Sequence, residues 1–140
     1  MKEFATTVAI RSSPERVWEI LTNAGDYPRW NTTVTRLEGS IAAGSTVKVY
    51  SKIDPKRAFP VRVAEFDRPK RMVWRGGAPL PFLFEGERTF SLTPAADGTV
   101  EFSMREVFSG ILSPLIVKSI PDLNPVFAEF GECLKRAAEA

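Results

Sequence analysis

Two charged residues stand where strand alternation calls for apolar ones. In the run from Phe84 to Leu92, Phe84, Arg88, Phe90 and Leu92 share one face with Gly86, while Glu85, Glu87, Thr89 and Ser91 share the other. In the following run, Val100, Phe102, Met104, Glu106 and Phe108 point one way and Glu101, Ser103, Arg105 and Val107 the other. Closing this hairpin through Pro94-Ala95-Ala96-Asp97-Gly98 with Leu92 opposite Val100 sets Arg88 opposite Met104 and diagonal to Glu106. An inward charge without a partner is costly, so three roles are open: a mutually satisfied pair, a polar anchor for an otherwise apolar ligand, or an acid/base pair. Acid chemistry needs a raised Glu106 pKa, and a neighbouring Arg88 acts in the opposite direction.

The residues that are missing exclude more. Histidine is absent and cysteine occurs once among 140 residues. Ser-His-Asp and Cys-His nucleophile systems, His-containing metal sites, zinc clusters and an internal disulfide framework are therefore excluded. No catalytic residue, metal ligand or cofactor is expected. Cys133 lies near the apolar stripe of the last helix and reads as an inert buried thiol.

Charge points away from nucleic acid. Nineteen basic against seventeen acidic residues give a net charge of +2. The densest basic pieces, Lys56-Arg57 and Arg68-Pro69-Lys70-Arg71, fall between strand-like runs and read as solvated turns. The N-terminal residues carry no apolar leader segment, and the longest apolar stretch, residues 111–120, is interrupted by Ser113, Pro114, Lys118 and Ser119. A bilayer span takes about 20 apolar residues, so no stable membrane insertion is expected, and the location expected is cytoplasmic.

The elements that must position Arg88 and Glu106 follow from periodicity. A length of 140 residues suits one domain, residues 1–140, with room for a core and a modest cavity. Residues 4–10 alternate as an opening strand. Ser13-Pro14-Glu15 starts a helix with Ser as N-cap and Pro in the first turn, and Val17, Trp18 and Leu21 share its inner face. Asn23-Ala24-Gly25-Asp26 ends it, and Tyr27-Pro28-Arg29-Trp30 follows as a turn or second small helix; Asp26 and Tyr27 read as turn-stabilising, Trp30 as a wedge seating the helices. The period then changes to two: Val34 to Leu37, Val47 to Ser51, Phe59 to Val63 and Met72 to Trp74, with turns at Gly44, Asp54-Pro55 and Asp67-Arg68-Pro69. In the last third, Ile116, Ile120, Leu123, Phe127, Phe130, Leu134 and Ala137 keep helical spacing across Pro121 and Pro125, which predicts one long kinked helix in preference to two. Only that helix is long enough to cover the inner face of a single antiparallel sheet.

Ser13-Pro14-Glu15-Arg16-Val17-Trp18 followed by Asp26-Tyr27-Pro28-Arg29-Trp30-Asn31 resembles the opening of the SRPBCC superfamily, the START-like or polyketide cyclase/dehydrase-like proteins. Val63-Ala64-Glu65-Phe66-Asp67-Arg68-Pro69, Met72-Val73-Trp74-Arg75-Gly76 and Gly86-Glu87-Arg88-Thr89-Phe90-Ser91-Leu92-Thr93-Pro94 continue the likeness in order. The resemblance implies an α+β helix-grip fold: a curved seven-stranded antiparallel sheet wrapped around a long C-terminal helix, with two short helices between strands 1 and 2 and an apolar pocket inside. These motifs are packing and turn chemistry, so they carry the fold and leave the chemistry open.

The inner faces then nominate a pocket lined by Val49, Val61, Trp74, Phe84, Met104, Phe108, Ile116, Ile120, Leu123 and Phe127, with Arg88 and Glu106 as polar contacts. Its mouth is expected near residues 54–59, 76–82 and 109–113, with Phe90, Phe102, Phe130 and Leu134 at the packed end. Residues 112–120 are expected to pack on the sheet, although they could also touch a membrane during lipid loading. The function read from this is binding or transport of a small hydrophobic molecule (a lipid, polyketide or other apolar metabolite) by a monomer or homodimer. A polyketide cyclase or aromatase using the same cavity, and an interaction module using the outer sheet face, are the competing classes.

Overall fold

A computed structural model describes residues 2–77 and 82–140. Seven antiparallel strands form one sheet: β1 (Lys2–Ile10), β2 (Val34–Glu38), β3 (Thr46–Ser51), β4 (Asp54–Asp67), β5 (Arg71–Gly77), β6 (Glu85–Pro94) and β7 (Val100–Ser109). Their spatial order is β1-β7-β6-β5-β4-β3-β2, so every neighbour but one is a hairpin partner and β1 closes onto the last strand. Between β1 and β2 lie helices α1 (Pro14–Thr22) and α2 (Tyr27–Trp30), joined by a 3-10 turn (Ala24–Asp26). After β7 come α3 (Ser113–Ile116), a 3-10 turn (Val117–Ser119) and α4 (Asn124–Glu139). This is the α+β helix-grip architecture.

Local chemistry sets the helix starts. The Ser13 hydroxyl accepts the Arg16 amide at 3.1 Å, and Pro14 occupies the first turn, where no amide is needed. The long kinked helix expected after β7 is instead broken. Ile120 is extended, as the residue before a proline prefers, and Pro121 lies in the link. Pro125 sits in the opening turn of a new helix, where its missing N–H costs nothing. The Asp122 carboxylate accepts the Asn124 amide at 3.0 Å, and the Asn124 side chain accepts the Ala5 amide at 3.0 Å, which pins the start of α4 to β1. The other end of α4 is pinned to the same strand region: Lys135 donates to the Ala9 carbonyl at 2.9 Å, and Glu139 accepts the Arg11 amide at 2.8 Å.

Two turns differ from expectation. Asp54-Pro55 belongs to β4, and the β3–β4 turn is shorter, because Asp54 already pairs with Ser51. The β6–β7 hairpin closes two residues later than read from sequence: Pro94 faces Val100 and Leu92 faces Phe102, with the Ala95 amide bonded to the Thr99 carbonyl at 2.9 Å. Asp97 accepts from the amide and hydroxyl of Thr99, and Gly98 takes φ +84°, so a five-residue turn is self-supporting and needs no strand residues.

The core sits between the concave face and α4. Phe130 stands at its centre, stacked on Phe102 at 6.1 Å and edge-on to Trp30 at 5.8 Å and Tyr27 at 6.3 Å, with Phe90 at 6.2 Å. Trp30 thus wedges α2 against α4, and Cys133 is buried beside it on the same helix. Tyr27, read from sequence as a turn residue, is fully buried and donates its hydroxyl to the Leu21 carbonyl, while Asp26 pairs with Arg29 at 2.7 Å. Burial holds the Tyr27 phenol far above its usual range, with the nearby Arg88 charge opposing. A folded-state pKa raised above the unfolded value of about 10 contributes stability that is intact below pH 10 and is lost as pH rises further. Urea titrations from pH 8 to 11 are expected to show wild type losing stability above pH 10 more steeply than Tyr27→Phe, by about 1.4 kcal/mol per pH unit. At pH 7 the same variant is expected to be about 1 kcal/mol less stable, because the buried Leu21 carbonyl loses its donor.

Candidate functional site

The corrected register brings Arg88 and Glu106 directly opposite each other on β6 and β7. They belong to one row that crosses five strands on the concave face: Phe4, Glu106, Arg88, Trp74 and Val63. The Arg88 Nε donates to a Glu106 carboxylate oxygen at 2.6 Å, and the guanidinium lies 4.8 Å from the centre of the Phe127 ring on α4. The two side chains are only 22% and 13% exposed. The pair is therefore held from two sides, by the sheet register below and an aromatic face above.

The row beneath it is sealed. Thr6, Met104, Phe90, Met72 and Phe66 follow one another across the sheet, and Met104, Phe90 and Met72 are fully buried. The row above begins to open. Phe108 folds its ring over Gly86, where even a methyl group would come within 3.0 Å of it, and stacks on Phe84 at 5.6 Å. Val49, Val61, Phe84, Ile116 and Ile120 are half-buried, whereas Trp74, Met104, Phe108, Leu123 and Phe127 are buried. Burial thus grades from a packed end at Phe90, Phe102 and Phe130 to an open end at Val61, Phe84 and Ile120.

The open end carries apolar side chains on its outside as well. Ile53, Phe59, Phe82, Ile111, Leu112 and Leu115 are the large hydrophobic residues exposed among the described residues, and all lie at this end of the sheet. Strand direction explains it: the β3–β4 turn, the end of β5, the start of β6 and the end of β7 meet there. The Ile111 and Leu112 amides bond to the Phe82 and Leu83 carbonyls at 3.0 and 2.8 Å, which fixes two of these segments side by side. Gly110 makes that seam possible, because at φ +107° an added Cβ would sit 2.6 Å from the Leu83 carbonyl oxygen. Residues 112–120 do not pack along their length on the sheet: Ile116, Val117 and Ile120 are half-buried, but Leu112 and Leu115 are exposed. Of the Gly- and Pro-rich segment expected at the mouth, residues 78–81 lie outside the described residues.

Across the grip, the β3–β4 turn is fastened to α4. Lys52 pairs with Glu129 at 2.5 Å, the Thr32 hydroxyl donates to the same carboxylate, and the Lys52 amide bonds to the Thr33 carbonyl at 2.9 Å. The Lys52 ammonium, with help from Thr32, holds the Glu129 carboxyl below its usual range. No spacing in the sequence links these three residues, which come together only because the sheet curls.

Among the described residues, three buried side-chain polar atoms lack a hydrogen-bond partner: Trp74 Nε1, Trp30 Nε1 and Asn31 Nδ2. Sequence reasoning placed Trp74 among the lining residues but gave no sign of its unsatisfied donor. It also missed Phe4, which faces Glu106 from β1 and touches both Phe108 and Phe127 at ring distances of 6.1 and 6.4 Å. Its place at the start of the first strand became legible only once β1 was seen to pair with β7. Two surface clefts contain none of the candidate residues. One is lined by Arg11, Ser12, Asp97, Gly98 and Thr99, the other by Trp18, Glu19, Thr22, Asn23, Phe66 and Arg68. Among the described residues no His/Cys/Asp/Glu group could hold a metal ion, and no helix is long and apolar enough to cross a membrane.

The chain is similar in structure to several solved proteins, all at low sequence identity. A hypothetical protein, jhp0584 from Helicobacter pylori, aligns with a TM-score of 0.79 at 13% identity, covering 98% of this chain and 88% of that one. A START superfamily protein from Mycobacterium smegmatis aligns at 0.72 and 16% identity, covering 98% and 97%. The Aha1 dimer from Colwellia psychrerythraea aligns at 0.72 and 19% identity, covering 99% and 97%. No curated protein matches the sequence. The model of the family described as polyketide cyclase / dehydrase and lipid transport matches residues 1–139, and the chain belongs to that family.

Proposed function

We propose that this member of the polyketide cyclase / dehydrase and lipid transport family binds a small, mostly apolar molecule between the sheet and α4, working as a single domain in the cytoplasm. The observation that carries the reading is the setting of the Arg88–Glu106 pair. A charged pair on the concave face, flanked by Phe127, Phe108 and Trp74, lies between a sealed floor and a half-open apolar end. The apolar wall supplies affinity at roughly 25 cal/mol per Å² of ligand area buried, before association costs, and the pair supplies orientation. The exposed apolar side chains lie at the end where such a ligand would enter.

The outer sheet face does not favour an interaction module. Several of its charges are paired with one another: Arg71 with Glu65 at 2.5 Å, Arg75 with Glu87 at 2.9 Å, and Arg105 with Glu3 at 2.6 Å. Val73 lies buried on that face beneath these pairs, and none of the large exposed hydrophobic residues among the described residues lies on β5, β6 or β7.

Fluorescence titration with the neutral apolar probe N-phenyl-1-naphthylamine tests the reading. Wild type is expected to bind it saturably at one site. Val61→Phe, which fills the half-open end without altering charge, is expected to weaken binding by roughly tenfold, about 1.4 kcal/mol. Absence of saturable binding, or unchanged binding in a Val61→Phe protein that still folds, would overturn the assignment. Native mass spectrometry of freshly purified protein, followed by organic extraction, then identifies any molecule carried along.

A further inference from the structure

Resting on that reading, we propose that the ligand carries a neutral carbonyl oxygen that docks against Trp74 and Arg88. Trp74 and Arg88 are direct cross-strand partners on the concave face. Trp74 is 4% exposed, and its indole N–H meets neither solvent nor any acceptor. Buried N–H groups are nearly always satisfied, and one left without a partner forfeits a hydrogen bond that an arriving acceptor restores. The indole also leans on Phe90, with ring centres 4.7 Å apart, so the ring is braced beside the donor it presents.

Arg88 adds donors of its own. Its Nε is committed to Glu106, and its two terminal nitrogens have no hydrogen-bond partner among the described residues. Donors outnumber acceptors here, and Glu106, the nearby carboxylate, is already engaged by Arg88, so a protonated amine would have to compete with the guanidinium for it. A carboxylate is disfavoured for a different reason. Glu106 already neutralises Arg88 at 2.6 Å, so a second anion on the same guanidinium would crowd two like charges in a half-buried setting. A carbonyl oxygen has two lone pairs, one for each donor, and brings no charge.

Competition against N-phenyl-1-naphthylamine with three ten-carbon probes, decan-2-one, decanoate and decylamine, separates this inference from the broader one. Decan-2-one is expected to bind at least about fivefold tighter than decanoate and about tenfold tighter than decylamine. Trp74→Phe keeps an aromatic ring but removes the N–H, and is expected to weaken decan-2-one about fivefold. Glu106→Gln leaves an acceptor for Arg88 and removes the opposing charge, so decanoate is expected to gain on decan-2-one. In a ¹H–¹⁵N spectrum, the Trp74 indole resonance, assigned by its loss in Trp74→Phe, is expected to move downfield with decan-2-one while that of Trp18 stays in place. Three probes that compete equally, or an indole resonance that does not respond, would overturn the carbonyl assignment while leaving the apolar pocket intact. Failure of all three to compete would remove both.

Discussion

Phe130→Ala is expected to destabilise the protein by about 3–5 kcal/mol, a large share of the 5–15 kcal/mol typical of a domain. The size of the effect follows from where the ring sits. Phe130 is 2% exposed and touches aromatic rings from β6, β7 and α2 together with Tyr27 at the start of α2. Four rings around one deleted side chain cannot all collapse into the space, since each is also held by its own strand or helix. Urea unfolding followed by tryptophan fluorescence measures it. A loss under 1.5 kcal/mol would mean that the grip between sheet and α4 is not organised around this ring.

The second large effect is expected at the charged pair. Arg88→Met leaves Glu106 on the concave face without its cation, and is expected to cost about 2–3 kcal/mol, scaled down from a fully buried pair by the residual exposure. Replacing both residues, as Arg88→Met with Glu106→Leu, is expected to return stability to within about 1 kcal/mol of wild type, because no charge is then left unpaired. A double variant as unstable as the sum of the singles would show that the two residues act separately. The contrast carries a functional point. A pair whose joint removal is nearly neutral is not needed to hold the fold, and its presence on the concave face then calls for another role, which the proposed function supplies as recognition.

The sequence made the fold legible because the fold is written in local signals. Ser13-Pro14 marks α1, alternation marks the strands, and the helical stripe from Phe127 to Leu134 marks α4. Alternation on β6 and β7 put Arg88, Met104, Glu106 and Phe108 on one face with Phe90, Leu92 and Phe102, and the strand register does the same. What sequence missed was non-local or ambiguous. The β6–β7 register depends on a turn that Asp97 and Thr99 stabilise internally, and a two-residue error keeps every side chain on its proper face while changing which ones meet. Helical spacing runs unbroken through Pro121 and Pro125, yet periodicity reports which side is apolar and not whether the backbone stays helical between turns. Tyr27 looked like turn chemistry because its neighbours Asp26 and Pro28 are; only the packing of α2 on α4 buries it. The unsatisfied Trp74 donor is a property of three-dimensional surroundings and leaves no trace in composition or spacing.

The pinning of α4 to β1 has a consequence for how the chain reaches this structure. The bonds from Asn124, Lys135 and Glu139 to the first strand region close loops of 119, 126 and 128 residues, and β1 pairs along its whole length with β7. Contacts of such long separation raise the contact order, which places folding toward the millisecond-to-second range and leaves little native structure to form early. Within this domain β1 precedes both of its partners in chain order: β7 follows only after the other five strands, and α4 follows β7. The apolar residues Phe4, Val8 and Ile10 wait exposed throughout that interval, so the nascent chain, more than the finished protein, is where this fold is vulnerable to aggregation.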